Sequence, residues 1–225
     1  MKICFSLYGT EDKYYIGAEK NITQIQDMLP DWTPVIFVHN KKTNLDRTVK
    51  LEAMGASIID VSHTTIGGMD SMHSPMFWRF IPFTEDAPAI SRDLDSRFSH
   101  REVRYINDWL QSKDSLFIIR DHPWHSQVPG GLIGMKNVGS KFSSHMEDFV
   151  SKNNAGAYNA DQEFLSSFKS SIKNITSFYC GFDDETNYIP RDDKDFFIGM
   201  QVDEFDKPLS PSATLALDFL KELNL

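Results

Sequence analysis

Apolar and polar positions fall in blocks along this chain, and from the first residue the blocks switch between a strand pattern and a helix pattern. Ile3–Leu7 is a short apolar run closed by the turn Tyr8-Gly9-Thr10. Helical spacing covers Ile16–Leu29 and stops at Pro30. Pro34–Val38 reads as a buried strand, Leu45–Met54 as a helix ending at Gly55, and Ser57–Val61 as a third strand. Near-continuous apolar strands that alternate with helices predict an α/β fold, a parallel sheet covered by helices.

Residues 62–71 are polar and contain glycine, which predicts a flexible connection. Met72–Phe80 has a helical apolar pattern with Pro75 in its first turn. After the apolar stretch Ala87–Ile90, Ser99-His100-Arg101-Glu102 is a capping box, in which serine takes an orphan amide and glutamate returns the bond. The helix it opens carries Val103, Ile106 and Leu110 on one face. Leu116–Ile119 is the next buried strand. Gly130-Gly131-Leu132-Ile133-Gly134 reads as flexible, with helices near His145–Ser151 and Asp161–Phe168 and strands at Ile175–Tyr179 and Phe196–Ile198. Ser210 as N-cap with Pro211 after it opens a last amphipathic helix through Leu220.

In open α/β sheets, ligands bind just beyond the carboxyl ends of the strands. Ser6–Gly9, Arg92–Arg97 and Arg120–His125 all fall at such ends, so the pattern predicts that they converge on one cleft. The run Arg92-Asp93-Leu94-Asp95-Ser96-Arg97 is the most informative. In extended backbone, residues two apart point the same way, so Asp93 and Asp95 can present two carboxylates to one hard cation. Mg²⁺ or Mn²⁺ held by few carboxylates is commonly completed by substrate phosphates, which Arg92 and Arg97 are placed to meet. The plain alternative is a solvated turn capping the next helix, but Ser99 already supplies that cap.

Arg120-Asp121-His122-Pro123-Trp124-His125 gathers four ionisable groups after a buried strand. It is either a turn stapled by an Arg–Asp pair or a place where Asp121 or His122 meets substrate or moves a proton. His122 and His125 could also complete a metal shell. Arg79 stands among aromatics in Phe77-Trp78-Arg79-Phe80, where a buried arginine needs a partner: Asp86, or a diphosphate. Asp161 opens an apolar helix, where an acidic first turn complements the dipole.

The net charge is −9 and no Lys/Arg-rich tract occurs, which argues against nucleic acid as a partner. A few local arginines and a metal still let an acidic protein bind an anionic nucleotide. Cys4 and Cys180 lack metal-ligand spacing and fit a reduced, cytoplasmic setting. No signal-peptide anatomy and no run of membrane-spanning length appear, so any membrane association would be peripheral.

Ser6-Leu7-Tyr8-Gly9, Tyr15-Ile16-Gly17-Ala18, Trp78-Arg79-Phe80, Arg92–Arg97, Arg101-Glu102, Trp109, Arg120–Pro123, Gly130-Gly131 and Asp161-Gln162 together resemble a family of small GT-A-fold glycosyltransferases. That family occurs in bacteria, often among surface-polysaccharide genes, and in large algal viruses. The similarity runs from residue 1 to about 170, with Arg92–Pro123 its specific part. It implies a single domain with a mixed, mostly parallel sheet, a nucleotide-sugar-binding half over 1–125 and an acceptor-side half over 126–225. It implies a metal-dependent sugar transferase with Mn²⁺ or Mg²⁺ on Asp93 and Asp95, acting in polysaccharide biosynthesis. The donor, a UDP-sugar for preference, would be held by Ser6, Leu7, Tyr8, Tyr15, Arg79, Arg92, Arg97 and His122. The acceptor would be a glycan or another hydroxyl compound, facing Gly130–Gly134 and Asp161.

The chain departs from the family pattern twice. No His follows His145 to act as a further metal ligand, the corresponding stretch being Phe178–Asp183, and His39-Asn40 stands where an acidic residue is expected after the second strand. If the transfer inverts the anomeric centre, a carboxylate must deprotonate the acceptor, with Asp161 the first candidate and Asp121 the second. A nucleotidyltransferase, a metal-dependent phosphoesterase and a non-catalytic sugar-binding relative are the competing readings.

Overall fold

The computed structural model describes residues 1–64, 75–122, 125, 128–152, 159–179 and 197–209. Its first half alternates as the apolar blocks predict: β1 (Lys2–Ser6), α1 (Asp12–Met28), β2 (Thr33–Val38), α2 (Leu45–Ala53) and β3 (Ser57–Asp60). A short α3 (Pro75–Trp78) and a 3₁₀ turn (Ile81–Thr84) lead into β4 (Ala89–Arg92). Then follow α4 (His100–Gln111), β5 (Leu116–Arg120), β6 (Leu132–Met135), α5 (Gly139–Lys152), α6 (Ala160–Ser171) and β7 (Ile175–Tyr179). The segment 65–74, Pro123-Trp124, Cys180–Phe196 and the helix expected from Ser210 lie outside the described residues. So, therefore, do most of the Phe178–Asp183 stretch and part of the strand expected at Phe196–Ile198. The described end of that strand is not one, because Ile198 sits in a turn.

The seven strands form one sheet in the order β3-β2-β1-β4-β6-β5-β7. All pairings are parallel except those of β6, which runs antiparallel to β4 and to β5. Six strands therefore end at one edge. Gly130–Gly134, expected to be flexible, instead leads into this central strand. Gly134 has the reason in its surroundings: a Cβ there would lie 2.7 Å from Phe117 and 3.2 Å from Trp109. Only glycine lets Trp109, stacked on Phe117, press against the strand.

Period-two alternation divides the core between the two faces. Ile3, Phe5, Phe117 and Ile119 face α1 and α4, packing on Ile22, Ile25, Ile106 and Trp109. Cys4, Leu116, Ile118 and Ile133 face the other way, onto Phe77, Phe142, Phe164 and Phe168 of α3, α5 and α6. The result is one three-layer domain, helices on both faces of the sheet.

Candidate active site

At the carboxyl edge of β1 and β4 lies a cavity of about 320 Å³, within the size range of small-molecule sites. Ser6 and Tyr8 reach it from the end of β1, Asp93 and Asp95 from the end of β4, and Arg79 from the turn after α3. Its far wall is Gly130, Gly131 and Asp161. The two aspartates do not alternate on a strand as the sequence predicts. β4 ends at Arg92, and Leu94–Ser96 is a turn that still leaves both carboxylates on the cavity.

The turn is held from below. Arg92 borders the cavity, yet its guanidinium is turned inward: Nε lies 3.0 Å from Glu102, and both side chains are 1% exposed. Its two other nitrogens donate to the Gly131 and Arg97 carbonyls. Arg92 therefore braces the acidic turn, and its guanidinium faces inward where the sequence led one to expect it on a phosphate. Glu102 likewise does not close a capping box. Ser99 Oγ accepts the Glu102 amide at 3.2 Å, but the Glu102 carboxylate goes to Arg92. Burial pushes that carboxyl up to about 7, against the pull of Arg92. Gly17 of α1 packs directly on the Leu94 carbonyl, which Asn21 also caps at 3.2 Å.

The Asp93 side chain is 41% exposed, whereas Asp95 is buried. Burial, and then the charge of Asp93, push the Asp95 carboxyl up to about 6. A buried carboxylate whose charge its neighbour disfavours is what a cation would relieve, so this donor set fits a divalent ion. Among the described residues no group of three His, Cys, Asp or Glu converges to hold a metal. Asp93 and Asp95 would thus supply two ligands, leaving the others to phosphate and water.

Arg79 joins the two sides of the cavity. Its backbone N–H donates to Ser6 Oγ at 3.1 Å. One guanidinium nitrogen meets Asp93, and the other lies 3.4 Å from Asp161. Burial opposes its charge, but these two carboxylates hold it fully protonated. Asp86, the partner weighed from sequence, instead accepts the Gly139 amide at 2.9 Å. Asp161, in the first turn of α6, has its carboxyl raised by burial in spite of Arg79.

Five expected site residues sit away from this cavity. Leu7 is core, its carbonyl accepting from Thr43. Tyr15 is buried, its hydroxyl donating to the Gly9 carbonyl at 3.0 Å and accepting from the Asn44 amide at 2.9 Å. Arg97 turns to Asp206, at 2.8 Å. Asp121 is buried in a bidentate pair with Arg101 and accepts the Ile198 amide, so it anchors the 197–209 segment and does not face the cavity. His122 packs its ring 4.5 Å from Phe197.

In their place the fold brings up Tyr14, Met76, Asn159, Gln162 and Gln201. Tyr14 is adjacent to buried Tyr15 in α1 and so points to a different side of the helix, onto the cavity. Gln201 arrives only because Val202 donates to the Asp95 carbonyl at 2.7 Å, a contact with no local signature. A second, more apolar cavity of about 350 Å³ lies between Phe98–Arg101 and Phe197–Val202, without paired free carboxylates.

No protein-family model matches the chain, and no curated protein matches it. Several solved structures share its fold. The galactosyltransferase LgtC, in complex with donor and acceptor sugar analogues, aligns with TM-score 0.54 and 14% identity, over 80% of this chain and 74% of that one. Glucosyl-3-phosphoglycerate synthase from Mycobacterium tuberculosis, in complex with Mn²⁺, UDP and glucosyl-3-phosphoglycerate, aligns with TM-score 0.53 and 12% identity, over 79% and 68%. The 4-diphosphocytidyl-2C-methyl-D-erythritol synthase from Anaerococcus prevotii aligns with TM-score 0.53 and 9% identity, over 98% and 97%. The fold of this chain is therefore GT-A-like, a mixed, mostly parallel seven-stranded sheet flanked by helices.

Proposed function

We propose that this protein is a glycosyltransferase that moves a sugar from a nucleotide-diphosphate donor, a UDP-sugar for preference, to a hydroxyl acceptor such as a glycan. The observation that carries the reading is the cavity itself. Two adjacent carboxylates, an arginine and a separate buried carboxylate meet at the carboxyl edge of a sheet shared with two such transferases. Mn²⁺ or Mg²⁺ would be held by Asp93 and Asp95 and would supply Lewis-acid stabilisation of charge on the departing diphosphate.

The remaining roles belong to the chain. Ser6 and Tyr8 form the wall nearest β1, where the nucleotide would lie. Arg79 offers preorganised positive charge to the diphosphate, a contribution typically worth about 3 kcal/mol in the transition state. Asp161 stands on the opposite wall. Its raised basicity suits it to take the proton of an attacking hydroxyl if the reaction inverts configuration. Gly130 and Gly131 keep that wall low, so an acceptor can approach the carboxylates. In this reading the donor half is 1–125 and the acceptor half 126–225 of one domain, the cavity drawing on Ser6–Asp95 from the first and on Pro129–Gln201 from the second. No helix among the described residues is long and apolar enough to cross a membrane. A cytoplasmic enzyme that can also work peripherally on a membrane surface is part of the proposal.

Nucleotidyl transfer is one competing reading, since the fold is also that of a 4-diphosphocytidyl-2C-methyl-D-erythritol synthase. The test is calorimetric titration of UDP-glucose and GDP-mannose, with and without Mn²⁺, on the wild type and on Asp93→Ala/Asp95→Ala. Metal-dependent binding that disappears in the double variant supports the site. Failure of every nucleotide-sugar to bind the wild type would overturn it.

A further inference from the structure

Arg79 does more than a buried salt bridge requires. Its side chain is 5% exposed, and its fork is divided between two carboxylates of different character. Asp161 is as buried as the arginine and can by itself balance the charge. Asp93 is solvent-facing, and it is one of the two carboxylates that fit a cation. The Arg79 backbone is fixed by its bond to Ser6, and the guanidinium lies close over Gly130, where a Cβ would come within 2.7 Å of Nη2. A guanidinium and a divalent ion compete for the same carboxylate.

We infer that Arg79 acts as a built-in cation that occupies Asp93 until a nucleotide diphosphate arrives, and so couples metal binding to donor binding. The inference rests on the donor-binding reading above. A diphosphate offers the planar fork a second anion matched to its geometry. Once the fork engages phosphate, exposed Asp93 is released to the metal while buried Asp161 keeps its partner. Metal alone must instead strip Asp93 from Arg79 with nothing to replace it. By linkage, whatever the diphosphate does for metal affinity, the metal does for the diphosphate. Arg79 is then a positioning residue that keeps the site from filling with free cation before substrate.

The test is titration of Mn²⁺ alone, and of Mn²⁺ with saturating UDP, into wild type, Arg79→Gln and Arg79→Lys, read by calorimetry and by the Mn²⁺ electron paramagnetic resonance signal. Wild type should bind Mn²⁺ at least about tenfold tighter with UDP than without. Both variants should bind Mn²⁺ alone about tenfold tighter than wild type, with a smaller gain from UDP. A lysine ammonium lacks the planar fork that spans both carboxylates and would stay with buried Asp161, so Arg79→Lys frees Asp93 at unchanged net charge and carries the test if Arg79→Gln does not fold. Equal affinity for Mn²⁺ alone in all three proteins, with UDP-dependent binding intact in wild type, overturns the inference and leaves the donor reading standing. Tightening in Arg79→Gln but not in Arg79→Lys assigns the effect to net charge and also overturns it. A wild type that binds no Mn²⁺ even with UDP overturns both.

Discussion

Gly131→Ala tests whether the acidic turn works by position. A Cβ on Gly131 would lie 2.5 Å from Asp93 Cγ and 3.1 Å from Oδ1, and closer still to Oδ2. Normal carbon contacts sit near 3.5 Å, so the carboxylate must move by roughly 1 Å. Gly131 cannot retreat instead. Its carbonyl accepts from Arg92 at 3.1 Å, and the next residue begins β6 between β4 and β5. Its φ is not among the positive values, so alanine adds no backbone strain. Asp93 is exposed enough to swing aside, and the variant should lose no more than about 1 kcal/mol of stability. A misplacement of about 1 Å in a reacting geometry costs roughly a hundredfold in rate, or about 2.7 kcal/mol. The assay pairs a thermal melt with Mn²⁺-dependent UDP binding and donor turnover, with Asp93→Ala as the floor. Gly131→Ala that melts, binds and turns over like wild type would refute the positional argument.

Three further outcomes follow from the same geometry. Arg92→Met should cost about 3–5 kcal/mol in urea unfolding, because it strands buried Glu102; unchanged stability with weakened donor binding would return Arg92 to a phosphate role. Asp161→Asn should leave Mn²⁺-dependent UDP binding within a few-fold and lower turnover by about a hundredfold or more if the enzyme inverts; near-normal turnover in both Asp161→Asn and Asp161→Ala would remove Asp161 from the chemistry. Burial, followed by the charge of His122, holds His125 down at about 3, below its ordinary value. The unfolded chain therefore binds the extra proton between that value and the ordinary one, and stability present above the ordinary pKa is lost as pH falls. Relative to His125→Gln, wild type should lose up to about 1.4 kcal/mol per pH unit below about 6.5 in urea melts; parallel pH profiles for the two proteins would count against this.

How much of this was legible in the sequence depends on the range of the contact involved. Strand positions could be read because a strand buried on both faces needs an unbroken apolar run, as in Val35–Val38 and Leu116–Ile119. β6 escaped because glycine signals flexibility in sequence, and here it signals close packing against Trp109. Asp93 and Asp95 stood out by spacing, although a turn and not an extended strand delivers them. The capping box was half right: Ser99 caps, while Glu102 serves a buried arginine. Arg79's two partners lie 14 and 82 residues away in the chain, a distance that no local pattern spans. Asp161 entered only through resemblance, since an acidic first turn needs no function. The same range limit explains Asp121, whose pairing with Arg101 and the 197–209 segment is tertiary.

The most direct test of the central claim is the identity of the nucleotide product. Wild-type protein is incubated with Mg²⁺ and either a panel of UDP- and GDP-sugars with an oligosaccharide acceptor mixture or nucleoside triphosphates with sugar phosphates, and ³¹P NMR follows the phosphorus species. Glycosyl transfer predicts release of the nucleoside diphosphate, dependent on Asp93 and Asp95. Inorganic pyrophosphate formed from a nucleoside triphosphate and a sugar phosphate, or phosphate released without acceptor, would contradict it.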